Sequence, residues 1–160
     1  MPQSKCLVVY YSRTGNTRSV AEALAEALGA DVEEVVDKKK RGGVVGFVGG
    51  GVDSMRKKEA DIEEPQKNPA DYELVLVGTP VWAWNMTPAV RAYLTRVRDR
   101  LPRVAFFLTT GGTGIEGTFE AMAALCGKEP AATLAFKERE LKKDEWRERV
   151  REFVEKLGAS

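Results

Sequence analysis

The sequence predicts an α/β fold: a doubly wound five-stranded parallel sheet, strand order 2-1-3-4-5, with helices on both faces. Three observations carry this. Short apolar runs rich in β-branched and aromatic residues alternate with amphipathic segments at helical spacing, the pattern of a parallel sheet covered on both sides. Five such runs fit within 160 residues, a length that suits one domain with a sizeable core. Polar, glycine-bearing loops follow the first, third and fourth runs, where doubly wound sheets hold their ligands.

The elements follow in order. KCLVVYY (residues 5–11) reads as a buried strand. Residues 16–28 read as a helix with Val20, Leu24, Ala27 and Leu28 on one face, stopped by Gly29. DVEEVV (31–36) is the second strand and ELVLVGTP (73–80) the third. Thr87-Pro88 opens the next helix, with threonine as N-cap, proline in the first turn, and Val90, Tyr93, Leu94 and Val97 as its inner stripe. RVAFFLTT (103–110) is the fourth strand, and Ile115, Phe119, Met122 and Cys126 are expected to face inward from the helix after it. AATLAFK (131–137) is the fifth strand. The last helix is expected over 141–157, with Trp146, Val150, Phe153, Val154 and Leu157 in phase. The expected organisation is a single domain over 1–160 with a glycine-rich insert at about 38–60.

Charge and composition narrow the function. The chain has 25 basic and 24 acidic residues, a formal net charge of +1, so no basic excess argues for nucleic acid. The local basic clusters at 37–41 and 91–103 read as solvated surfaces. No histidine is present, which excludes histidine-based triads and general bases and most zinc sites within these residues. Any chemistry is then expected to come from a cofactor, with no catalytic side chain and no metal. The only cysteines, Cys6 and Cys126, fall in apolar patterns and read as buried thiols. The first apolar run is too short for a secretion signal, and no segment approaches the ~20 apolar residues of a membrane helix. A soluble, cytoplasmic protein is expected.

Three loops converge at one sheet edge in this fold. SRTGNT (12–17) opens the first helix, where free backbone N–H groups and the helix dipole attract an anion. Ser12, Thr14, Thr17 and Asn16 add donors, Gly15 lets the backbone turn, and Arg13 adds charge or faces solvent. A capping turn without a ligand uses the same residue types. It is not a triphosphate loop, because no GxxxxGK[ST] occurs; a terminal monophosphate suits it better. The second loop, GTPVWAWNMTP (78–88), puts Trp82 and Trp84 around Ala83. They either pack under the loop or face a flat aromatic ligand. The third, TTGGTGIEGT (109–118), contains GxGxxG at Gly112, Gly114 and Gly117, with Glu138 further on. Too little chain follows for a dinucleotide fold, so the glycines read as a wall closely approaching a planar ligand. Together the loops suit a flat ring joined to a phosphate by a short polyol.

On these motifs the chain resembles the flavodoxin family. Ser12, Thr14, Gly15 and Thr17 match its T/S-x-T-G-x-T loop for the FMN phosphate. Residues 78–94 resemble its flavin-ring loop and following helix, and also the Gly-Thr-Pro and Asn-Met segment of FMN-dependent NAD(P)H:quinone oxidoreductases. LTTGGTG (108–114) sits where flavodoxins place their second flavin loop. The resemblance implies a flavodoxin-like fold with FMN as cofactor. It implies Ser12, Arg13, Thr14, Gly15, Asn16 and Thr17 at the phosphate. It implies Thr79, Pro80, Val81, Trp82, Ala83, Trp84 and Asn85 at the ring, and Thr110, Gly111, Gly112, Thr113 and Gly114 along its other side. Two departures stand out. The charge is nearly neutral where typical flavodoxins are strongly acidic, and the third loop has no aromatic residue to cover the flavin.

The insert KKKRGGVVGFVGGGVDSMRKK (38–58) has valines at helical spacing and glycines every fourth residue. It reads as a surface connection, a lid, or a dimer contact beside the flavin. The leading expectation is an FMN-binding electron carrier whose partner is a redox protein. An FMN-dependent NAD(P)H:quinone-type oxidoreductase is the alternative, and a flavin-free binding module the third reading. Neither nucleic acid nor membrane is an expected partner; a homo-oligomer is a possibility the insert leaves open.

Overall fold

The computed structural model describes residues 5–38 and 61–158. The expectations for the insert at 38–60 fall, apart from Lys38, outside the described residues. The strands are β1 (Cys6–Tyr10), β2 (Asp31–Glu34), β3 (Leu74–Trp82), a two-residue β4 (Asn85–Met86), β5 (Arg103–Thr110) and β6 (Thr133–Lys137). Among the described residues the α-helices are α1 (Asn16–Leu28), α2 (Pro88–Val97), α3 (Ile115–Cys126) and α4 (Trp146–Leu157). The parallel sheet runs β2-β1-β3-β5-β6, which is the predicted 2-1-3-4-5 order, with β4 added antiparallel to β3.

Alternation along the strands builds two cores. Leu7 and Val9, Val75 and Val77, Val104 and Phe106 point to one face, where Val90, Tyr93, Leu94 and Val97 of α2 and Met122 and Cys126 of α3 meet them. Cys6, Val8 and Tyr10, Leu74 and Leu76, Ala105 and Phe107, Leu134 and Phe136 point to the other, under α1 and α4. A side-chain period of two does this sorting, so a central strand must be apolar at every position. Gly78 sits mid-strand because a β-carbon there would lie 2.1 Å from the Phe107 ring.

Four expectations shift. In α1 the buried stripe is Val20, Ala21, Leu24, Ala25 and Leu28, and Ala27 faces outward. β2 ends at Glu34 rather than residue 36: β1 stops at Tyr10, whose carbonyl accepts the Val35 N–H at 2.7 Å, and beyond it the chain bonds instead to 61–63, the Val36 carbonyl accepting the Glu63 N–H at 2.9 Å. In α3 the fully buried positions are Thr118, Met122 and Cys126, while Ile115 and Phe119 are only partly covered. That helix packs on α2 and β4 as well as on the sheet, which rotates its inner stripe. The last helical segment is split. Residues Glu138–Lys142 form a 3-10 turn, Lys143 is extended (φ −118°, ψ 147°), and α4 starts at Trp146. Trp146 anchors the new start edge-on against Phe136, ring centroids 5.8 Å apart.

Candidate functional site

Every parallel strand ends at the same edge, and the loops after β1, β3 and β5 meet there around a cavity of about 440 Å³. That volume is in the range of small-molecule sites. Its lining comprises Arg13, Thr14, Asn16 and Thr17 from the first loop and Pro80–Trp84 from the second. Thr109–Thr113 from the third loop and Glu138 after β6 complete it.

The first loop presents backbone. Gly15 stands at the N-cap of α1 in the left-handed region (φ 100°), and no side chain caps the helix. The N–H groups of the first turn are therefore offered at the cavity with the positive end of the helix dipole behind them. Ser12 does not line the cavity; its hydroxyl accepts the Gly15 N–H at 3.0 Å and holds the turn shut from inside. Thr17 is buried, its hydroxyl 2.8 Å from that of Thr109, which ties α1 to the end of β5. Arg18 turns away to Glu34 at 2.6 Å and to the Tyr10 hydroxyl at 3.2 Å. Those two partners raise the Arg18 pKa.

The second loop is a hairpin. Trp82 pairs with Asn85 across Ala83 and Trp84, both at positive φ (49° and 64°), as a two-residue primed turn demands. Non-glycine residues adopt this conformation at a cost of roughly 1–2 kcal/mol each. Buried hydrogen bonds hold the hairpin base. The Thr79 hydroxyl accepts the Thr87 N–H at 3.1 Å and donates to the Pro80 carbonyl at 2.8 Å. Thr87 in turn caps α2 by accepting the Val90 N–H at 3.4 Å. Thr79 therefore shapes the wall from behind. Asn85 does the same, its side-chain oxygen accepting the Met86 N–H at 2.8 Å. Trp82 is buried edge-on to Tyr11 at 5.7 Å, whereas Trp84 is 63% exposed at the cavity mouth. The two tryptophans of the motif thus have different surroundings, one packed and one offered.

The third loop is braced by Thr110, whose hydroxyl donates to the Thr113 carbonyl at 2.6 Å and accepts the Gly112 N–H at 3.2 Å. Gly111, Gly112 and Thr113 lie exposed along the cavity. Gly114 is behind them: a β-carbon there would lie 2.9 Å from the Trp84 Cα and from Val81 Cγ1. Of the three GxGxxG glycines only Gly114 makes a loop-to-loop contact; Gly112 and Gly117 lie in open space.

Thirteen of the eighteen residues singled out from sequence line the cavity, while Ser12, Gly15, Thr79, Asn85 and Gly114 support it. Two further lining residues, Thr109 and Glu138, are not among the eighteen. Thr109 reads as the end of a strand, and Glu138 arrives only because β6 lies beside β5, with Thr110 opposite Lys137. The arrangement offers an anion cradle, an aromatic wall and a flat backbone wall.

A model of the family described as Flavodoxin matches residues 5–157. Among solved structures, the chain is similar to a flavoprotein in complex with FMN from Lactobacillus acidophilus NCFM, with TM-score 0.72 and 20% identity over 87% of this chain and 97% of that one. It is similar to a protein described as a putative flavoprotein from Bacteroides eggerthii DSM 20697, with TM-score 0.76 and 20% identity over 98% and 99%. It is also similar to two-electron reduced Megasphaera elsdenii flavodoxin, with TM-score 0.58 and 20% identity over 94% and 98%. At these identities the likeness to each structure speaks for the fold.

Proposed function

The chain belongs to the flavodoxin family, and from that premise we propose that it binds FMN in the cavity at the strand ends and works as an electron carrier. The observation that carries the reading is the uncapped N-terminus of α1 at one end of a slot walled by an aromatic hairpin and a glycine loop. The donor set fits the cofactor. A phosphate would meet the first-turn N–H groups with Thr14 and Asn16, and a ring would lie between Pro80–Trp84 and Thr110–Thr113. Bound FMN supplies the redox chemistry. The protein's residues hold it, orient it and limit water at its faces. Its electron donor is a redox partner protein or NAD(P)H. The cytoplasm suits two buried cysteines outside any disulfide, Cys6 and Cys126. Among the described residues no helix is long and apolar enough to cross a membrane.

A second reading, an FMN-dependent NAD(P)H:quinone-type oxidoreductase, draws on one observation. Among the described residues the Gly111–Thr113 wall is exposed and carries no aromatic cover, which favours a second planar molecule on the flavin. Purified protein loaded with FMN and reduced stepwise without oxygen separates the two. Long-wavelength absorbance near half reduction is expected of a one-electron carrier. Direct bleaching, with turnover of NAD(P)H and a quinone, favours the enzyme, and failure to take up FMN sinks both.

A further inference from the structure

Arg13 belongs to the anion-binding loop by sequence, yet its guanidinium lies 5.8 Å from the centroid of the Trp82 ring, on the hairpin wall. The side chain is half-buried, its Nε is out of contact with solvent, and it lines the cavity. Among the described residues lining it, Arg13 and Glu138 are the charged ones. Glu138 is exposed beyond β6, where water and salt weaken its field.

We propose that Arg13 sets the reduction potential of the bound FMN by stabilising negative charge on the reduced ring, rather than binding the phosphate. This rests on the FMN reading above. Two electrons and one proton entering oxidised flavin, while the second proton stays in solvent, leave the ring with one negative charge. A nearby cation favours that charged form over the neutral oxidised one. Trp82 is the positioning surface. It is buried and fixed by Tyr11, so the guanidinium face has a rigid plate to rest on.

The test compares wild type, Arg13→Gln and Arg13→Lys. Each is titrated in its flavin-free form with FMN and with riboflavin, and then reduced by dithionite against a reference dye. In Arg13→Gln, reduced FMN should lose about tenfold in affinity relative to oxidised FMN, a fall of about 30 mV for a two-electron couple. The preference of the oxidised protein for FMN over riboflavin should hold within about twofold, and Arg13→Lys should recover most of the potential. Far-UV circular dichroism and thermal melting establish that each variant is folded. An unchanged potential overturns the proposal, as does a collapse of the FMN preference, which would make Arg13 a phosphate ligand. If wild type binds neither flavin, the FMN reading itself fails and takes this proposal with it; if wild type binds FMN, a negative result touches Arg13 alone.

Discussion

At the scale of single residues, the site depends on backbone approach more than on side-chain chemistry. Gly114 is the sharpest case. Its φ is +84°, and a β-carbon would lie 2.9 Å from the Cα of Trp84. Both neighbours are fixed, since one is the backbone of a tight turn and the other the partly buried Val81. Gly114→Ala is therefore expected to lower stability by roughly 2 kcal/mol or more, from strain and overpacking together. Gly111→Ala is the matched control, because nothing lies within 4 Å of its added carbon, and it should stay within about 0.5 kcal/mol of wild type. Urea unfolding of the two variants checks this. Equal stability would mean that the hairpin and the glycine loop are not in contact.

At the scale of elements, the β3–β4 hairpin holds strain at the cavity mouth. A two-residue primed turn favours Asn-Gly, and here it is Ala83-Trp84, both at positive φ. Replacing the pair by Asn-Gly should raise stability by about 1–2 kcal/mol, because that strain disappears. The same change removes the exposed aromatic from the cavity lining, so FMN affinity should fall. Differential scanning calorimetry and a flavin titration read the two effects; a variant that is less stable, or that binds FMN as well as wild type, would show that Ala83-Trp84 is not traded for function. This hairpin was also hard to read in the sequence. Residues 78–88 were legible as a loop with two tryptophans, but Ala-Trp carries no turn signature, so β4 left no mark. The five parallel strands were legible because central strands buried on both faces must be continuous apolar runs. The end of β2 was not, because an edge strand stops where its neighbour stops. The site divides in the same way. Thr14 and Asn16 announce themselves by standing at a strand–helix junction, whereas Thr109 and Glu138 join the cavity only through the order of the sheet.

At the scale of the whole molecule, the thiols and phenols that folding shifts among the described residues point one way. Burial pushes the Cys126 thiol up to about 11 and raises the Cys6 thiol. Burial, and then the hydrogen bond to Asp31 at 2.7 Å, push the Tyr72 phenol up to about 12, and burial raises Tyr93 further. Each group holds its proton more tightly in the folded chain than in the unfolded one, where thiols titrate near 9.0 and phenols near 10.0. On raising the pH the unfolded chain loses these protons first, so stability is complete below about pH 9 and is lost progressively as pH climbs through 11 to 12. With no histidine in the sequence, no side chain of ordinary pKa titrates between pH 6 and 8. The expected profile is a urea midpoint that is level from about pH 6 to 9 and then falls steeply. Tyr72→Phe should flatten part of that alkaline fall, because it removes one of the shifted protons together with its bond to Asp31 at the sheet edge. A midpoint that drops between pH 6 and 8 would contradict the assignment. So would a Tyr72→Phe profile with the wild-type slope above pH 10, since Tyr72 would then hold its proton no more tightly in the folded sheet than in the free chain.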